Sequence, residues 1–377
     1  MMRFRLFFTL FIASTLPFAA VFASSEEANA TPAESTDSHS ETDAVEAFNP
    51  NELIMHHIGD SHGWHFFDWN NHPVGIPLPV ILWTKEGLVV FSSAKFHHDI
   101  EGRQVVTAGN QRFVNIHENI HYASDQPNEH GVYAEVNEET HEVQNDKPWD
   151  VSITKNVASL LFSALVIVVL FLGAAKHYGK NANVAPRGLA GFIEPIVVFV
   201  RDDIAKNNIG PHYQRFVPLL LTIFFFIWVN NLFGLVPFFP GGANVTGNIA
   251  VTMVLALVAF VVTNANGNKH YWSHILWMPG LPVFVKPLLA LVEIIGIFTK
   301  PFSLMIRLFA NITAGHIIVL SLVSLVFIFE TVWVSPVSVL LTLFISILEL
   351  LVAALQAYIF TLLTALYLGA AMHEEHH

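Results

Sequence analysis

The chain has 377 residues, 53% of them hydrophobic and 13% charged, with a mean hydropathy of +0.51. A soluble domain runs nearer a quarter charged, which excludes an all-soluble protein, and the complete lack of Cys excludes disulfide scaffolds, thiolate metal sites and Cys nucleophiles. The net charge of −12 splits unevenly, with 7 Lys+Arg against 22 Asp+Glu in residues 1–150 and 11 against 8 in residues 151–377; neither part has the concentrated basic face that nucleic-acid binding needs.

Residues 1–23 read as a secretory signal peptide. Arg3 and Arg5 form the positive start, Leu6 to Phe22 the apolar core, and Val21-Phe22-Ala23 a small-residue cleavage region. Residues 24–50 are rich in Ser, Thr, Ala and Glu and read as a disordered acidic tether. Residues 51–150 carry short apolar clusters, such as Ile76 to Trp83 and Gly87 to Phe91, broken by Gly, Pro and Asn. That texture predicts a small β-rich exported domain. Twelve of the 20 His lie in residues 1–150, among them His56, His57, His62, His65, His97 and His98. The pairs are sequence neighbours with no carboxylate at ligand spacing, so they read as solvated surface groups and no metal site is assigned. The domain reads as serving assembly and stability, because no ionisable constellation in it connects to the membrane part.

Residues 151–377 predict an all-α polytopic membrane domain, since a span needs about 20 apolar residues. The expected segments are Val157–Ala175, Phe216–Phe238, Asn248–Thr263, Thr299–Phe329 and Pro336–Ala370. Lys176, Lys180, Arg187, Arg201, Lys206 and Arg215 crowd the stretch between the first two, and Lys269, Lys286 and Lys300 follow the third. The opposite loops, Phe239–Gly247 and Glu330–Ser335, have no Lys or Arg. The positive-inside bias therefore places the N-terminal domain in the periplasm and the C-terminus in the cytoplasm of a bacterial inner membrane. Five crossings from an exported N-terminus end in the cytoplasm by parity too. Pro336–Ala370, at 1.5 Å per residue, would be roughly 52 Å long against a hydrocarbon core of about 30 Å. It and Thr299–Phe329 are expected as two long, strongly tilted helices.

From Phe216 onward, 162 residues contain four Lys+Arg and five Asp+Glu. Arg307 lies well inside an apolar segment, where a cation costs about 2.5–3.5 kcal/mol on insertion scales. Such a group faces a cavity, a partner charge or an ion path. Ser303 and Asn311 share its helix face at i−4 and i+4. Glu349 and Gln356, seven apart, share a face of the last segment. His316, nine residues past Arg307, is half a turn out of phase with it. An Arg face with Asn and Gln, plus a separate His and Glu, describes a proton route better than a substrate pocket.

The stretches Lys286–Glu293, Lys300–His316 and Leu355–Tyr367, with Asn231–Pro237 and Thr246–Thr252, resemble subunit a of F-type ATP synthases. The likeness runs in order through about residues 155–377 and leaves the first 150 outside it. It departs at Ala310, where a Gly is frequent. It departs also at His316 and Glu349, where many members carry a carboxylate and a His respectively. The resemblance implies a stator facing a rotating c-subunit ring, with the b-subunit stalk and other ATP synthase subunits as partners. It implies no cofactor and no enzymatic activity of the chain by itself. By the same resemblance Arg307 is the essential arginine, flanked by Asn311 and Gln356. His316 and Glu349 would line the external half-channel, and Glu293 would lie near the internal one.

Two other readings are weaker. A secondary transporter predicts internal repeats, and none is found. His373-Glu374-Glu375-His376-His377 fits the H-E-x-x-H pattern of a metalloprotease, but it reads as a solvated, charged end without a third ligand.

Overall fold

The computed structural model describes residues 59–69, 72–135, 137, 143–180, 187–236, 241–278, 282–329, 333 and 335–372. The expected signal and tether, His56 and His57, and the H-E-x-x-H match lie outside the described residues.

The β-rich part is built from three small antiparallel sheets. The strands β1 (Gly63–Trp69) and β2 (His72–Pro77) form one of them. In the second, β3 (Pro79–Thr84) lies between β4 (Gly87–Ser92) and β8 (Trp149–Asp150). In the third, β6 (Gln111–Ile116) lies between β5 (Val106–Ala108) and β7 (Asn119–Tyr122). Strand β3 shows why these residues make a sheet. Val80, Leu82 and Thr84 point inward and are buried while Trp83 points out, the two-residue alternation of a half-covered strand. Val80, Leu82 and Phe91 pack against Val106, Phe113 and Ile120 of the third sheet. The wholly buried Phe113 ring lies 6.0 Å from Phe91 and 5.5 Å from Tyr122. Burial of one such ring contributes about 2 kcal/mol. The turn between β6 and β7 puts His117 (φ 47) and Glu118 (φ 62) in the left-handed region, where Asn and Gly are the usual occupants.

The membrane part begins with α1 (Lys155–Lys180). A helical segment follows, made of α2 (Leu189–Val198), a π-helical stretch (Phe199–Lys206) and α3 (Asn207–Ile209). Then come α4 (Val217–Gly234), α5 (Ile249–Ala265), α6 (Lys269–Leu276), α7 (Lys286–Phe329) and α8 (Ser335–Met372). Among the described residues four helices are long and apolar enough to cross a membrane, or five if α5 and α6, bent by 103°, count as one span. The chain is thus a polytopic helical membrane protein behind a β-rich region.

Two stretches differ from the sequence expectation. The basic stretch between the first two spans is helical, because Val200, Ile204 and Ala205 are buried against the bundle while Arg201 and Asp202 pair at its surface. The fourth segment starts at Lys286 instead of Thr299. Pro301 lies inside the helix; a proline removes one backbone hydrogen bond, and the stretch from Leu288 to Phe298, apolar except for Glu293, carries the helix up to it. At 44 and 38 residues, α7 and α8 extend about 66 and 57 Å, so in a core of about 30 Å both must lean or protrude.

The bundle core gathers Ile204, Leu220, Ile223 and Ile227 with Leu308 of α7 and Leu368 of α8. Outward faces stay apolar: Leu161, Leu165 and Leu172 on α1, Phe298 and Phe302 on α7, Leu340 and Leu351 on α8. At Gly369 a Cβ would overlap the carbonyl oxygen of Asn208, so α8 crosses α3 backbone against backbone. The Ser338 hydroxyl donates to the Leu322 carbonyl and ties the start of α8 to α7.

The β-rich part is joined to the helices by more than the chain. Trp64 Nε1 donates to the Gly241 carbonyl at 3.2 Å, and the Lys155 N–H donates to the Ser61 carbonyl at 2.8 Å. One Asp60 oxygen accepts the Asn156 N–H at 3.0 Å and the other accepts the Thr154 hydroxyl at 2.8 Å. Asp60 therefore caps α1 from across the fold, satisfying a donor that a helix start leaves open.

Candidate functional site

Arg307 sits midway along α7, half-buried, with Leu304, Met305 and Leu308 buried around it. Its Nη2 reaches the Ser303 hydroxyl at 3.5 Å, one turn back. Asn311, one turn on, is exposed, while Gln356 of α8 is buried. Arg307 also lies within electrostatic reach of Tyr367, whose ring stands 5.4 Å from the Lys300 ammonium.

Toward the end of the bundle that carries the β-rich part, α7 and α8 bring His316 and Glu349 together. Nδ1 and Oε1 are 3.9 Å apart, with the side chains 16% and 6% exposed. Glu349 Oε1 is buried without a hydrogen-bond partner among the described residues. The two groups come close because Gly315 gives way: a Cβ there would stand 2.6 Å from Oε1. The wall beside them is polar and tied down. Thr246 donates to Asn231 Oδ1 at 2.5 Å, and Asn231 Nδ2 donates to the Ala353 carbonyl at 3.2 Å.

At the opposite end Glu293 is half-buried and acts electrostatically on Tyr271. The Tyr271 hydroxyl donates to Asn264 Oδ1 at 3.2 Å. Thr263, Asn264, Tyr271, Lys300, Pro301 and Tyr367 line a small open cleft. Glu293, Lys300 and Arg307 recur every seven residues and so share one face of α7. Along its axis Glu293 lies about 21 Å from Arg307, and His316 about 14 Å beyond it on the opposite face. The structure thus gathers His316 with Glu349 and keeps Glu293 far from them.

A further cluster is absent from the sequence reading and corrects it. His62 is buried, not solvated. Its Nε2 lies 2.8 Å from Asp150, its Nδ1 lies 3.7 Å from Glu118, and its backbone N–H donates to Glu118 at 3.1 Å. Burial alone would lower the imidazole pKa, but the bond to Asp150 and the Glu118 carboxylate outweigh it and raise it to about 9. Asp150 is held below the usual carboxylate range, its burial outweighed by bonds from His62 and Ser152. Lys155, at the start of α1, is 8% exposed; the charges of Asp60 and Glu118 act on it, and its own acts on His316. The one signal available in sequence was a lysine directly ahead of the first apolar run. Among the described residues no group of three or more His, Asp or Glu is placed to hold a metal ion.

Residues 157–369 match the family model described as ATP synthase A chain, and residues 53–151 match one described as a domain of unknown function (DUF8433). The chain is 48% identical over 242 residues to ATP synthase subunit a of Chloroherpeton thalassium, covering 60% of this chain and 69% of that one. To ATP synthase subunit a of Chlorobium phaeobacteroides strain DSM 266 it is 45% identical over 238 residues, covering 60% and 68%. A third relative, ATP synthase subunit a 2 of Chlorobaculum tepidum, is 46% identical over 244 residues, covering 61% and 66%.

Proposed function

The chain belongs to the ATP synthase subunit a family, and from that premise we propose that it is the membrane stator of an F-type ATP synthase that carries protons through two offset half-channels. His316 and Glu349 line the one on the side of the β-rich domain, and Glu293 with the Tyr271–Lys300 cleft lines the other. Arg307 separates them. A guanidinium stays charged at any accessible pH, so it holds an approaching carboxylate of the c-ring ionised and blocks a direct hop between the channels. Asn311 and Gln356 flank it. The uncovered apolar faces of α7 and α8 suit contact with the ring, and the b-subunit stalk completes the stator.

The observation that carries this reading is the placement of one permanent cation between two separate polar clusters on a single long helix. The basic stretches and the parity of the spans support a periplasmic β-rich domain and a cytoplasmic C-terminus in a bacterial inner membrane. The chain performs no chemistry on ATP itself. In inverted vesicles, Arg307→Ala should assemble with the full subunit complement yet lose ATP-driven acidification. Acidification at the normal rate would overturn the assignment.

A further inference from the structure

Helix α6 leaves α5 at 103° after a short break. With 17 residues, α5 is about 26 Å long, so in a hydrocarbon core of about 30 Å it must stand close to the membrane normal to cross. Helix α6 therefore lies nearly flat, at the end of the bundle opposite the β-rich part. It is fastened there on its inner side. The Asn268 N–H donates to the Ala371 carbonyl at 3.0 Å, and the Tyr271 hydroxyl donates to Asn264.

At about 100° per residue, the faces of α6 separate by chemistry. Tyr271 and Ile275 share the side turned to the bundle, where Ile275 is buried. About a quarter turn to one side stand Trp272 and Leu276, both exposed. A quarter turn to the other stand His270 and His274, also exposed, with their rings 6.5 Å apart. Lys269 and Ser273 face directly away from the bundle and are exposed. Trp277, which ends the helix, is exposed as well, and the Lys286 ammonium lies 4.8 Å from the centre of its ring.

We propose that α6 and Lys286 form a docking site for an anionic phospholipid of the leaflet at that end, with Lys269 and Lys286 on its phosphate-bearing headgroup and Trp272 and Leu276 against its acyl chains. Nothing in it depends on how protons cross the bundle.

Three observations point to this occupant. A flat helix with the bundle beside it turns one flank to hydrocarbon and the other to water. In α6 one flank is Trp and Leu, the other is a pair of His, and the lysine lies between them at headgroup level. Amphipathic helices that rest in a membrane surface are built this way, with Trp at the boundary. Charge is the second observation. Residues 264–306 hold Lys269, Lys286 and Lys300 against one carboxylate, Glu293, and an excess of cations beside a membrane attracts anionic lipid. The third is continuity. Val258 and Val261 on α5 and Leu288 and Leu291 on α7 are exposed and apolar, and Phe284, between α6 and α7, is 81% exposed. The apolar flank of α6 thus runs into the surface that the membrane already covers. Inorganic phosphate would offer the same charge but nothing to cover Trp272 and Leu276.

The test uses the intact complex in phosphatidylcholine vesicles. The chain has no Cys, so Ser273→Cys provides a labelling point on the outer face of α6, read against the unsubstituted complex treated alike. Phosphatidylglycerol spin-labelled near the top of its acyl chain should quench the fluorophore at about 25-fold lower content than phosphatidylcholine labelled in the same place, about fivefold for each of two lysines. Lys269→Gln should lower that preference about fivefold, and Lys269→Gln with Lys286→Gln should bring it close to parity. Lys269→Arg, which keeps the charge, should leave it unchanged. If the double variant does not assemble, Lys269→Gln carries the test alone, because its side chain is exposed. Equal quenching by the two lipids, or a preference untouched by Lys269→Gln, would overturn the site. A fluorophore that neither lipid reaches would overturn it too, since a protein would then cover α6. A preference abolished by inorganic phosphate at constant ionic strength would show a site for the free anion instead.

Discussion

His62 and Glu349 are both ionisable groups shut away from solvent, and they differ in one contact: His62 has a carboxylate at hydrogen-bond distance. The imidazole in the β-rich domain is bonded through Nε2 to Asp150 at 2.8 Å, while its Nδ1, 3.7 Å from Glu118, has no hydrogen-bond partner among the described residues. The carboxyl in the helices has one oxygen with no hydrogen-bond partner among the described residues and an imidazole no nearer than 3.9 Å. Arg307 resembles Glu349 in this, reaching Ser303 only at 3.5 Å. A buried charge hydrogen-bonded to an opposite one is held in one state and fixes local structure. An under-answered one in a low-dielectric setting is costly, and that cost makes it responsive to whatever ion or carboxylate arrives.

The largest expected effect tests the under-answered side. Arg307→Lys keeps a positive charge but replaces a planar, permanently charged fork with a point charge able to lose its proton when desolvated. ATP-driven proton pumping in vesicles should fall on the order of 100-fold, as when a single preorganised charge-stabilising donor is lost elsewhere. Pumping within a few-fold of normal would mean that charge alone suffices. Next, His316→Ala and Glu349→Ala should each lower flux by about tenfold or more, the range for a lost proton-transfer group. The exchange His316→Glu with Glu349→His should recover a substantial part of it, since the two are neighbours. An exchange no better than the poorer single variant would show that they do not act as a pair.

The third expectation tests the answered side. The pKa of His62 is raised in the folded domain to about 9, against about 6.5 in an open chain. Its contribution to stability is therefore complete below about pH 6.5 and is lost as pH rises through about 9; the difference corresponds to roughly 3 kcal/mol. Protease resistance of the β-rich domain should weaken across that window in the wild type and vary little in His62→Gln. Equal pH dependence in both would show that the Asp150 contact does not hold the imidazole charged. The smallest effect is that of Gly315→Ala. The added methyl would stand 2.6 Å from Glu349 Oε1 and push the carboxyl off its rotamer, costing about 1 kcal/mol. Helix propensity favours Ala over Gly by a similar amount. Flux should drop a few-fold while thermal inactivation of the complex stays unchanged, and the reverse pattern would place Gly315 in packing alone.

Sequence reasoning reached some of these residues and not others for identifiable reasons. Arg307, His316 and Glu349 were legible because a polar group within a long apolar run stands out against its neighbours. That His316 meets Glu349 was expected through the resemblance, whose members carry the two residue types reversed, and not from spacing, since it depends on how two antiparallel helices are phased and on space left by Gly315. His62 was hidden among other histidines. Its partners Glu118 and Asp150 lie 56 and 88 residues away, and no local spacing could connect them. The start of α7 was misjudged because Lys300-Pro301 has the look of a helix boundary, although the proline lies inside the helix and removes one backbone hydrogen bond. The helical segment from Leu189 to Ile209 was missed because its exposed charges mask a buried stripe of Val200, Ile204 and Ala205.

The capping of α1 by Asp60 bears on how the protein is made. The donor at Asn156 and its acceptor are separated by 96 residues, and the acceptor is synthesised first. The intervening chain must fold and return to its own beginning before the first membrane helix is complete at its end. Translation thus delivers the cap ahead of the helix, and a ribosome that stalls between them leaves a domain whose closing partner is missing. Any mutation that slows folding of the β-sheets then leaves the first helix frayed at the membrane surface, even though every residue of that helix is intact.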